Sequence, residues 1–485
     1  MSTNSERICG ASGPASLKPW QLFGIAQTRS LETSSPDESE CATLMQTAGM
    51  ALARLTLALV PHARVIWVAC GPGNNGGDGL EAAAHLQKWG KQVHVSLIHD
   101  PGRSPPDAHR AWTAAKSTGV HFSDKVPDQF DACIDALFGI GSARPLGAVY
   151  ADWVMQMNAA AATTIAVDVP SGLNAETGAL GDVQVVANYT LSLLTLKPGL
   201  FSGGGRDACG EIWFNDLGVT TDATPFAILL GAPANQSRLH SSHKGSYGDV
   251  CVVGGASGMA GAALLAGRSA LLGGAGRVFV CPLGQIEPAL DAQMPELMFR
   301  NFDHLDWRDM VVVAGCGGGE AITEHLPQIL RDAKQLVLDA DALNCIAEST
   351  ALQTLLASRS PDSTVITPHP LEAARLLGCS VAQIQADRMG AAQSLGLRFN
   401  CVAVLKGSGS VIAAPQTTMR INPTGNAKLA TAGTGDVLAG LIGAHLAVKS
   451  SAMNAACSAV YQHGLAADHW KGTVLNASAL CQWKP

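Results

Sequence analysis

Residues 65–80 read VIWVACGPGNNGGDGL, an apolar and β-branched run that passes through a glycine-rich turn into a helical pattern. The run Val65–Cys70 predicts a buried strand, and Leu80 begins the apolar face of a helix. Glycines in such a turn let backbone amides approach an anionic ligand, and the helix N-terminus adds a favourable dipole. The stretch therefore predicts a strand–turn–helix unit of an α/β fold that binds a ligand at its turn.

The same pattern is repeated as far as Asp216. Residues 44–59 predict a helix with small and apolar residues at three- and four-residue spacing. The predicted strands of this half are 65–70, 93–98, 132–135, 164–169 and 189–193. Strands that alternate with helices indicate parallel βαβ units, which bind ligands at the carboxyl ends of their strands.

A chain of 485 residues exceeds the ~250–300 at which a single core stops growing, so we expect two domains. The periodic pattern stops near Asp216 and resumes at residue 249. Further strands are predicted at 249–253, 277–281, 310–314, 335–339, 363–367, 402–406 and 410–414. We predict a disordered tail at 1–15, domains at 16–220 and 239–485, and a linker at 221–238.

Composition excludes several classes of protein. Apolar residues make up 47% and charged residues 15%, as in a well-buried globular protein. A net charge of −7 without blocks of like charge favours neither nucleic acid nor an anionic membrane surface, so we expect no partner of either kind. No secretory signal is visible, and the 13 cysteines are scattered singly. We expect a cytoplasmic homo-oligomer that acts on small molecules.

Polar side chains of the first half collect at three predicted strand ends. Asn74, Asn75 and Asp78 lie in the glycine-rich turn, Asp135 ends the strand at 132–135, and Asp168 lies at the end of 164–169. Because parallel strands share one carboxyl edge, these side chains could converge on a ligand. Each acid read singly is as well explained by a helix cap or a turn.

The second half has its most informative stretch at residues 422–440, NPTGNAKLATAGTGDVLAG. Gly435 and Asp436 precede an apolar helix, so successive amides can bind an anion at the helix N-terminus. Asp436 could take a proton from a substrate hydroxyl while the amides stabilise phosphoryl charge. The alternative interpretation is a capped buried helix without chemistry.

Several motifs resemble the bifunctional NAD(P)H-hydrate repair enzymes. In the first half they are GPGNNGGDG, DALFGIGSARP, VDVPSGLNAETG and TLKPGLF; in the second, HKGSYGDVCVVGGASGMAGAALL, PELM, DADALN, TPHPLEAARLLG and VAVLKGSGSVIAA. The resemblance implies an N-terminal Rossmann-like parallel-sheet epimerase domain and a C-terminal ribokinase-like α/β dehydratase domain.

For the first half, the resemblance implies a catalytic carboxylate at Asp168 and a potassium ion held by Asn75, Asp135 and Ser171. It also implies contacts with the hydrated nicotinamide cofactor. These fall on Asn74, Asn75, Gly76, Gly77, Asp78, Gly139, Ile140, Gly141, Ser142, Ala143, Arg144, Pro145 and Asp168. Oxygen ligands of this kind suit a hard cation. Two positions depart from the family pattern, with Gln46 where Glu is commoner and Asn174 where Asp is commoner.

For the second half, the resemblance implies that Asp436 is the catalytic acid. It implies substrate contacts at Ala262, Gly317, His369 and Asp436, and adenine-nucleotide contacts at Lys406, Gly407, Ser408, Gly409, Ser410 and Gly435. His369, which lies between two prolines, could alternatively be a turn residue. The family's Gly-Pro-Gly-Leu-Gly turn has Cys316 in place of proline. The nucleotide is expected to be ADP, with Mg²⁺ held largely by its phosphates.

The implied reaction is repair of hydrated NADH or NADPH. The first domain would interconvert the R and S hydrates, and the second would dehydrate the S form at the expense of ADP. Two alternatives remain open. The second half could be a small-molecule kinase of the ribokinase class, and the first could be a non-catalytic binding module.

Overall fold

The computed structural model describes residues 5–10, 13–14, 18–34, 43–141, 145–234, 238–284 and 290–483. The chain divides into two compact units, with the boundary between Ala227 and Ile228. This boundary falls inside the segment predicted as a linker, 221–238.

The first unit combines a mostly parallel sheet with helices. Its strands are β1 Glu6–Gly10, β2 Gly13–Pro14, β3 Trp20–Leu22, β4 Val65–Cys70, β5 Gln92–Ser96, β6 His121–Ser123, β7 Ala132–Ala136, β8 Thr163–Val167, β9 Tyr189–Leu193 and β10 Glu211–Asn215. Its helices are α1 Ile25–Ser34, α2 Leu44–Leu59, α3 Asn74–Lys88, α4 Pro106–Ser117, α5 Ala148–Ala159 and α6 Gly205–Ala208.

Nine of these strands form one sheet, in the order β2-β1-β10-β9-β8-β7-β4-β5-β6. From β10 to β6 all neighbours are parallel, whereas β1 is antiparallel to β10 and β2. After β4 the chain adds β5 and β6 on one side and β7 to β10 on the other. The order therefore reverses between β4 and β7, where an open α/β sheet forms its ligand crevice.

Alternation along β4 builds the two layers of this unit. Ile66 and Val68 pack in a buried cluster with the helical residues Leu52 and Leu80. Trp67 points to the opposite cluster, which also contains residues of α5. Because successive side chains of a strand point to opposite faces, a strand buried on both faces is apolar throughout, as this one is.

The second unit has strands β11 Ala227–Leu229, β12 Asp249–Gly254, β13 Arg277–Pro282, β14 Met298–Phe299, β15 Val311–Ala314, β16 Gln335–Leu338, β17 Thr364–Ile366, β18 Val402–Leu405, β19 Val411–Ala413 and β20 Met419–Ile421. Its helices are α7 Ala260–Leu272, α8 Ile322–Asp332, α9 Asp341–Glu348, α10 Thr350–Ala357, α11 Pro370–Leu377, α12 Val381–Ala386, α13 Arg388–Phe399, α14 Thr434–Ala447, α15 Ala452–His469 and α16 Ala477–Gln482. Short 3₁₀ segments occupy Pro101–Arg103, Pro198–Phe201, Lys244–Tyr247, Phe302–His304 and Ala427–Leu429.

The strands of the second unit follow the order β14-β13-β12-β15-β16-β17-β18-β19-β20-β11. Strands β14 to β18 are parallel, and β19 is antiparallel to both neighbours. The order reverses between β12 and β15, which gives this unit its own crevice at the carboxyl ends of its strands. The predicted α/β class with two domains is confirmed.

Two expectations about irregular segments need correction. The tail predicted at 1–15 contains strand β1, which pairs with β10 and buries Ile8. The linker predicted at 221–238 contains strand β11, next to β20. Both strands are short and lack a periodic sequence pattern. They form because a partner strand far away in the sequence stabilises them.

Candidate active sites

A cavity of about 520 Å³ lies at the crevice of the first unit. Its wall comes from the turn after β4, the start of α3, the segment after β7 and the ends of β8 and β9. The lining residues are Arg29, Glu32, Leu44, Met45, Ala48, Pro72, Gly73, Asn74, Asn75, Asp78, Pro105, Asp107, Leu137, Phe138, Gly139, Ile140, Gly141, Asp168, Leu193, Leu194 and Leu217. Helix α3 begins after Gly73 without a side-chain cap, so its first amides can bind a ligand.

Asp168 lies at this cavity, directly after β8, and has a φ of +64°. The buried ammonium of Lys197 donates to its Oδ1, and the amide of Leu193 donates to the same oxygen over 3.2 Å. A left-handed backbone is unusual for a residue with a side chain and commonly marks a functional site. The carboxylate is therefore held in one orientation by a buried cation.

Asp135 and Ser171 form a second buried polar group beside the cavity. The Ser171 hydroxyl donates to Asp135 Oδ1 over 2.7 Å, and its amide donates to Oδ2 over 2.8 Å. Burial raises the pKa of Asp135 to about 6, against the opposing effect of these hydrogen bonds. Asn75 has a buried Nδ2 without a hydrogen-bond partner among the described residues. The three residues predicted as potassium ligands thus include a buried carboxyl, a hydroxyl and a carboxamide with an unsatisfied atom.

Negative charge predominates in the first cavity. Burial, reinforced by the charges of Asp168 and Glu32, raises the pKa of Asp78 well above its usual value. Asp107 adds another carboxyl to the wall. Among the described residues that line the cavity, Arg29 alone carries a cationic side chain, and it lies near Gly141. Arg29 is therefore placed to pair with an anionic part of a ligand.

The structure brings most of the predicted residues of this half together, although not all of them touch the cavity. Asn74, Asn75, Asp78, Gly139, Ile140, Gly141 and Asp168 line it. Gly76 and Gly77 are buried in the first turn of α3, where a Cβ would overlap Gly71 and the Met45 side chain respectively. Pro145 is exposed and does not line the cavity, and Ser142, Ala143 and Arg144 lie outside the described residues.

The second site has Asp436 at its centre, in the first turn of α14. This helix starts after Gly433, which has a φ of +86° and provides no side-chain cap. Ligand atoms of Cys316, Asp339 and Asp436 all lie within 4.8 Å of one another. Burial and the charge of Asp339 raise the pKa of Asp436 to about 6, whereas a hydrogen bond from the Cys316 thiol and the charge of Lys406 lower it. Asp436 can therefore act as a base near neutral pH.

Lys406 joins this cluster from the end of β18. Its ammonium donates to Asp339 Oδ1 over 2.6 Å, and the Thr367 hydroxyl donates to the same oxygen over 2.8 Å. Burial lowers the pKa of Lys406, but the carboxylates of Asp339 and Glu372 outweigh it and the net shift is upward. Gly435 lies against this pair, since a Cβ there would be 3.3 Å from the Lys406 ammonium. Lys406 therefore provides a fixed positive charge beside the N-terminus of α14.

His369 belongs to the same site and also caps α11. Its Nδ1 accepts from the amides of Leu371 and Glu372 over 3.1 and 3.3 Å, while Glu372 Oε2 accepts from the amide of His369. Burial and the charge of Lys406 lower the pKa of His369. Burial raises the pKa of Glu372 to about 7. The cap fixes a neutral imidazole whose Nε2 lies 3.3 Å from Glu372 Oε1.

Ala262 and Gly317 are in contact at the edge of this site. Gly317 has a φ of +58°, and a Cβ there would lie 2.8 Å from that of Ala262. Only glycine fits this close approach. The predicted nucleotide loop follows Lys406, with Gly407 (φ +139°), Ser408, Gly409 (φ +63°) and Ser410. Arg388 supports it by donating to the carbonyls of Leu405 and Lys406.

Five site residues received no role from the sequence: Arg29, Lys197, Cys316, Asp339 and Glu372. Three of them lie in motifs that carry the resemblance, TLKPGLF, DADALN and TPHPLE, and Cys316 lies in the noted turn. A charged residue near the carboxyl end of a predicted strand was the available signal: Asp339 ends the strand predicted at 335–339, and Lys197 follows the one predicted at 189–193. Arg29 has no such signal, because it lies on a separate helix.

The two residues of the first half that depart from the family pattern, Gln46 and Asn174, preserve the local structure around them. Gln46 completes a capping box with Thr43 at the start of α2, donating its amide to the Thr43 hydroxyl and accepting from the Thr43 amide. Asn174 Oδ1 accepts from the amides of Glu176 and Thr177 over 2.9 and 3.0 Å. Carboxamide oxygens accept these bonds as carboxylates would, so neither change alters the site.

Comparison with known proteins agrees with the division of the chain into two units. A family model described as YjeF-related protein N-terminus matches residues 41–199, and one described as NAD(P)H-hydrate dehydratase matches residues 250–482. The bifunctional NAD(P)H-hydrate repair enzyme of Escherichia coli is 38% identical over 88% of this chain and 84% of its own length. That of Coxiella burnetii is 34% identical over 92% of this chain and 94% of its own length.

A solved structure of an ADP/ATP-dependent NAD(P)H-hydrate dehydratase from Bacillus subtilis, co-crystallised with ATP and Mg²⁺, is 31% identical. It covers 50% of this chain and 90% of that one, with a TM-score of 0.43. On the evidence of the full-length relatives, the chain belongs to the family of bifunctional NAD(P)H-hydrate repair enzymes. Within the described residues, no helix is both long and apolar enough to cross a membrane.

Proposed function

We propose that this chain repairs hydrated NADH and NADPH with two separate active sites. The first unit epimerises the R and S hydrates, and the second dehydrates the S form to NAD(P)H. The observation that carries the proposal is the same in both units. Each unit has a carboxylate at the uncapped N-terminus of a helix: Asp168 follows β8 and lines the same cavity as the start of α3, and Asp436 lies in the first turn of α14.

In the first unit, Asp168 would accept the proton of the ring hydroxyl as the hydroxyl oxygen becomes a carbonyl and the adjacent carbon–nitrogen bond breaks. The electron pair of that bond stays on the ring nitrogen and is delocalised into the conjugated carboxamide. Return of the proton after closure on the other face gives the opposite epimer. A fixed carboxylate at the cavity supports this acid–base role.

Binding of the substrate's phosphates needs positive charge in a cavity rich in carboxyls. The first amides of α3 and the guanidinium of Arg29 are the groups that could supply it. A potassium ion held by Asn75, Asp135 and Ser171 would add further charge. Its support is the donor set itself: Asp135 and Ser171 offer buried carboxylate and hydroxyl oxygens, and Asn75 offers a carboxamide oxygen.

In the second unit, Asp436 would deprotonate the ring hydroxyl, whose oxygen attacks the terminal phosphorus of ADP and displaces AMP. The phosphate then leaves from the ring as the neighbouring carbon loses a proton, which restores the dihydronicotinamide. Lys406 and the amides that begin α14 are placed to hold phosphoryl oxygens. The nucleotide would contact Lys406, Gly407, Ser408, Gly409, Ser410 and Gly435, of which Lys406 and Gly435 lie against each other, and Ala262, Gly317 and His369 would contact the substrate.

A magnesium ion would fit the carboxylates of Asp339 and Asp436, with phosphates as its remaining ligands. Bound there, it would neutralise charge on the nucleotide. The sulfur of Cys316 is too soft a ligand for Mg²⁺ and would not take part.

The proposal is tested by incubating the full-length enzyme with a mixture of R and S NADH hydrates, ADP and Mg²⁺. Nicotinamide absorbance should recover completely, because epimerisation feeds the S form to the dehydratase, and AMP and phosphate should appear in equal amounts. If the absorbance recovered only to the extent of the S hydrate in the mixture, the first unit would have no epimerase activity and would be a non-catalytic binding module. Formation of a stable phosphorylated alcohol would instead indicate a small-molecule kinase.

We also propose that the enzyme is a homo-oligomer in the cytoplasm. A reducing compartment is supported by the eleven cysteines with described side chains, none of which forms a disulfide. Self-association is supported by apolar side chains exposed on α5, Val149 and Met155. Sedimentation of the enzyme as a monomer at micromolar concentration would contradict the oligomer.

A further inference from the structure

We propose that Lys197 is a positioning residue of the epimerase site, which fixes Asp168 by its Oδ1 so that Oδ2 exchanges the proton with the substrate. This inference rests on the proposed epimerisation and adds to it a residue and a reacting atom. The observation behind it is the buried ammonium of Lys197, which has no other role in the proposed reaction.

Lys197 lies beyond β9, just before the 3₁₀ segment Pro198–Phe201, and is 1% exposed. Its ammonium donates to Asp168 Oδ1 and to the carbonyls of Leu193 and Thr195, the latter two over 2.7 and 2.8 Å. An ammonium has three protons, and three acceptors satisfy them. Lys197 therefore has no donor left for a substrate and acts through Asp168.

The two oxygens of Asp168 have different surroundings. Oδ1 accepts from Lys197 and from the amide of Leu193. For Oδ2 the described residues provide no donor, and this oxygen lies 3.3 Å from the place where a Cβ on Gly139 would be. Gly139 lines the cavity and is a predicted substrate contact. The absent side chain leaves room for a substrate hydroxyl at Oδ2.

Charge balance makes Lys197 necessary for this arrangement. Two further carboxyls interact with Asp168, Glu32 from α1 and Asp78 from α3: the charge of Asp168 raises the pKa of both, whereas the charge of Lys197 lowers it. A buried carboxylate with like charges nearby tends to take up a proton, whereas an adjacent cation keeps it ionised. Lys197 therefore offsets part of the repulsion among the three carboxyls that meet at this point.

The test compares the pH–rate profile of epimerisation in the wild type and in Lys197→Met, which keeps the chain volume and removes the charge. We expect the acid limb to move upward by about 1–3 pH units, so that the deficit is at least tenfold near pH 6 and shrinks at high pH. KM for the hydrate should stay within threefold, because Lys197 does not touch the substrate. Lys88→Met, at the exposed end of α3, is the matched control and should leave the profile unchanged.

Two further variants identify the titrating group and keep the test decisive. Lys197→Met/Glu32→Gln should still show an upward shift, because the limb belongs to Asp168. The shift should be smaller than in Lys197→Met, because one neighbouring carboxyl has been removed as well. Lys197→Gln, which keeps a donor without charge, replaces the methionine variant if that one does not fold. A uniform loss of rate at every pH would reveal a merely structural lysine and overturn the inference, as would an unchanged profile. An inactive wild type would instead refute the proposed epimerase.

Discussion

Cys316 stands where the family resemblance places a proline, and its thiol is hydrogen-bonded to the carboxylate of Asp436. A thiol is a weak donor, but the bond stabilises the ionised carboxylate against burial and against the charge of Asp339. The cysteine therefore affects the ionisation of Asp436 and not only the stiffness of the turn.

Replacing this thiol should alter the pH dependence of dehydration. Since Asp436 acts ionised and its pKa is about 6, the wild-type rate should fall as pH drops through about 6. Cys316→Ala removes a stabilising donor, so the limb should move upward by about 0.4–1 pH unit, equivalent to ~0.5–1.5 kcal/mol. Cys316→Ser keeps a donor and serves as the control. A limb that moves downward in the alanine variant would contradict the assignment.

Arg29 provides a residue-scale test of how the first cavity recognises anionic substrate. Arg29→Gln should raise the KM of epimerisation by about 2–5-fold with little change in kcat, because an exposed ion pair contributes only up to ~1 kcal/mol. The wild type should also lose affinity with added salt more steeply than the variant. Arg64→Gln, at the opposite end of β4, is the control. An unchanged KM and salt response would exclude Arg29 from binding.

At the scale of elements, the proposed potassium site depends on β7 and on the segment after β8 meeting at one edge of the sheet. Asp135 of β7 holds both the hydroxyl and the amide of Ser171, which follows β8. Parallel register places these residues side by side although they are 36 positions apart.

This pairing predicts a pH-dependent potassium affinity. The cation favours ionised Asp135, whose pKa of about 6 leaves it mostly protonated at pH 5 and mostly ionised at pH 7. Affinity measured by potassium-dependent thermal stabilisation should therefore rise about tenfold between these values. Asp135→Asn should bind the ion weakly and without pH dependence, whereas Asp131→Asn, just before β7, should behave as wild type. Equal affinity of wild type at both pH values would count against the site.

Elements also differ in how well the sequence predicts them. The helix Leu44–Leu59 and the strands Val65–Cys70 and Tyr189–Leu193 were predicted with their observed bounds. Central strands are apolar on both faces, so their pattern is local and strong. Strands β1, β10 and β11 were missed because each is only three to five residues long and depends on pairing with its partner strands rather than on a pattern of its own.

At the scale of the whole molecule, two units carry two independent chemistries. The main hydrophobic clusters each lie within a single unit, and the strand order of each sheet reverses at a point of its own. A substitution that inactivates one site should therefore leave the activity of the other site unchanged.

Reciprocal variants test this independence. Asp168→Asn should slow epimerisation by ~10²–10⁴-fold and leave dehydration of the S hydrate intact, while Asp436→Asn should do the reverse, as expected for loss of a general base. A mixture of the two variants should convert R hydrate fully to NADH, because the S hydrate diffuses between molecules. If either folded variant lost both activities, the model of two independent sites would be wrong.

The sequence by itself determined the fold class, the central strands and the positions of the strand-end groups, because periodicity and glycine turns are local properties. It also indicated Asp168 and Asp436 through motif resemblance. Tertiary structure decided the partners of these carboxylates: Lys197 for Asp168, and Cys316 with Asp339 for Asp436. These partners are distant in sequence and meet only where parallel strands end at one edge. For Asp436, burial and these neighbours then set the pKa, since desolvation and neighbouring charges act through space rather than along the chain.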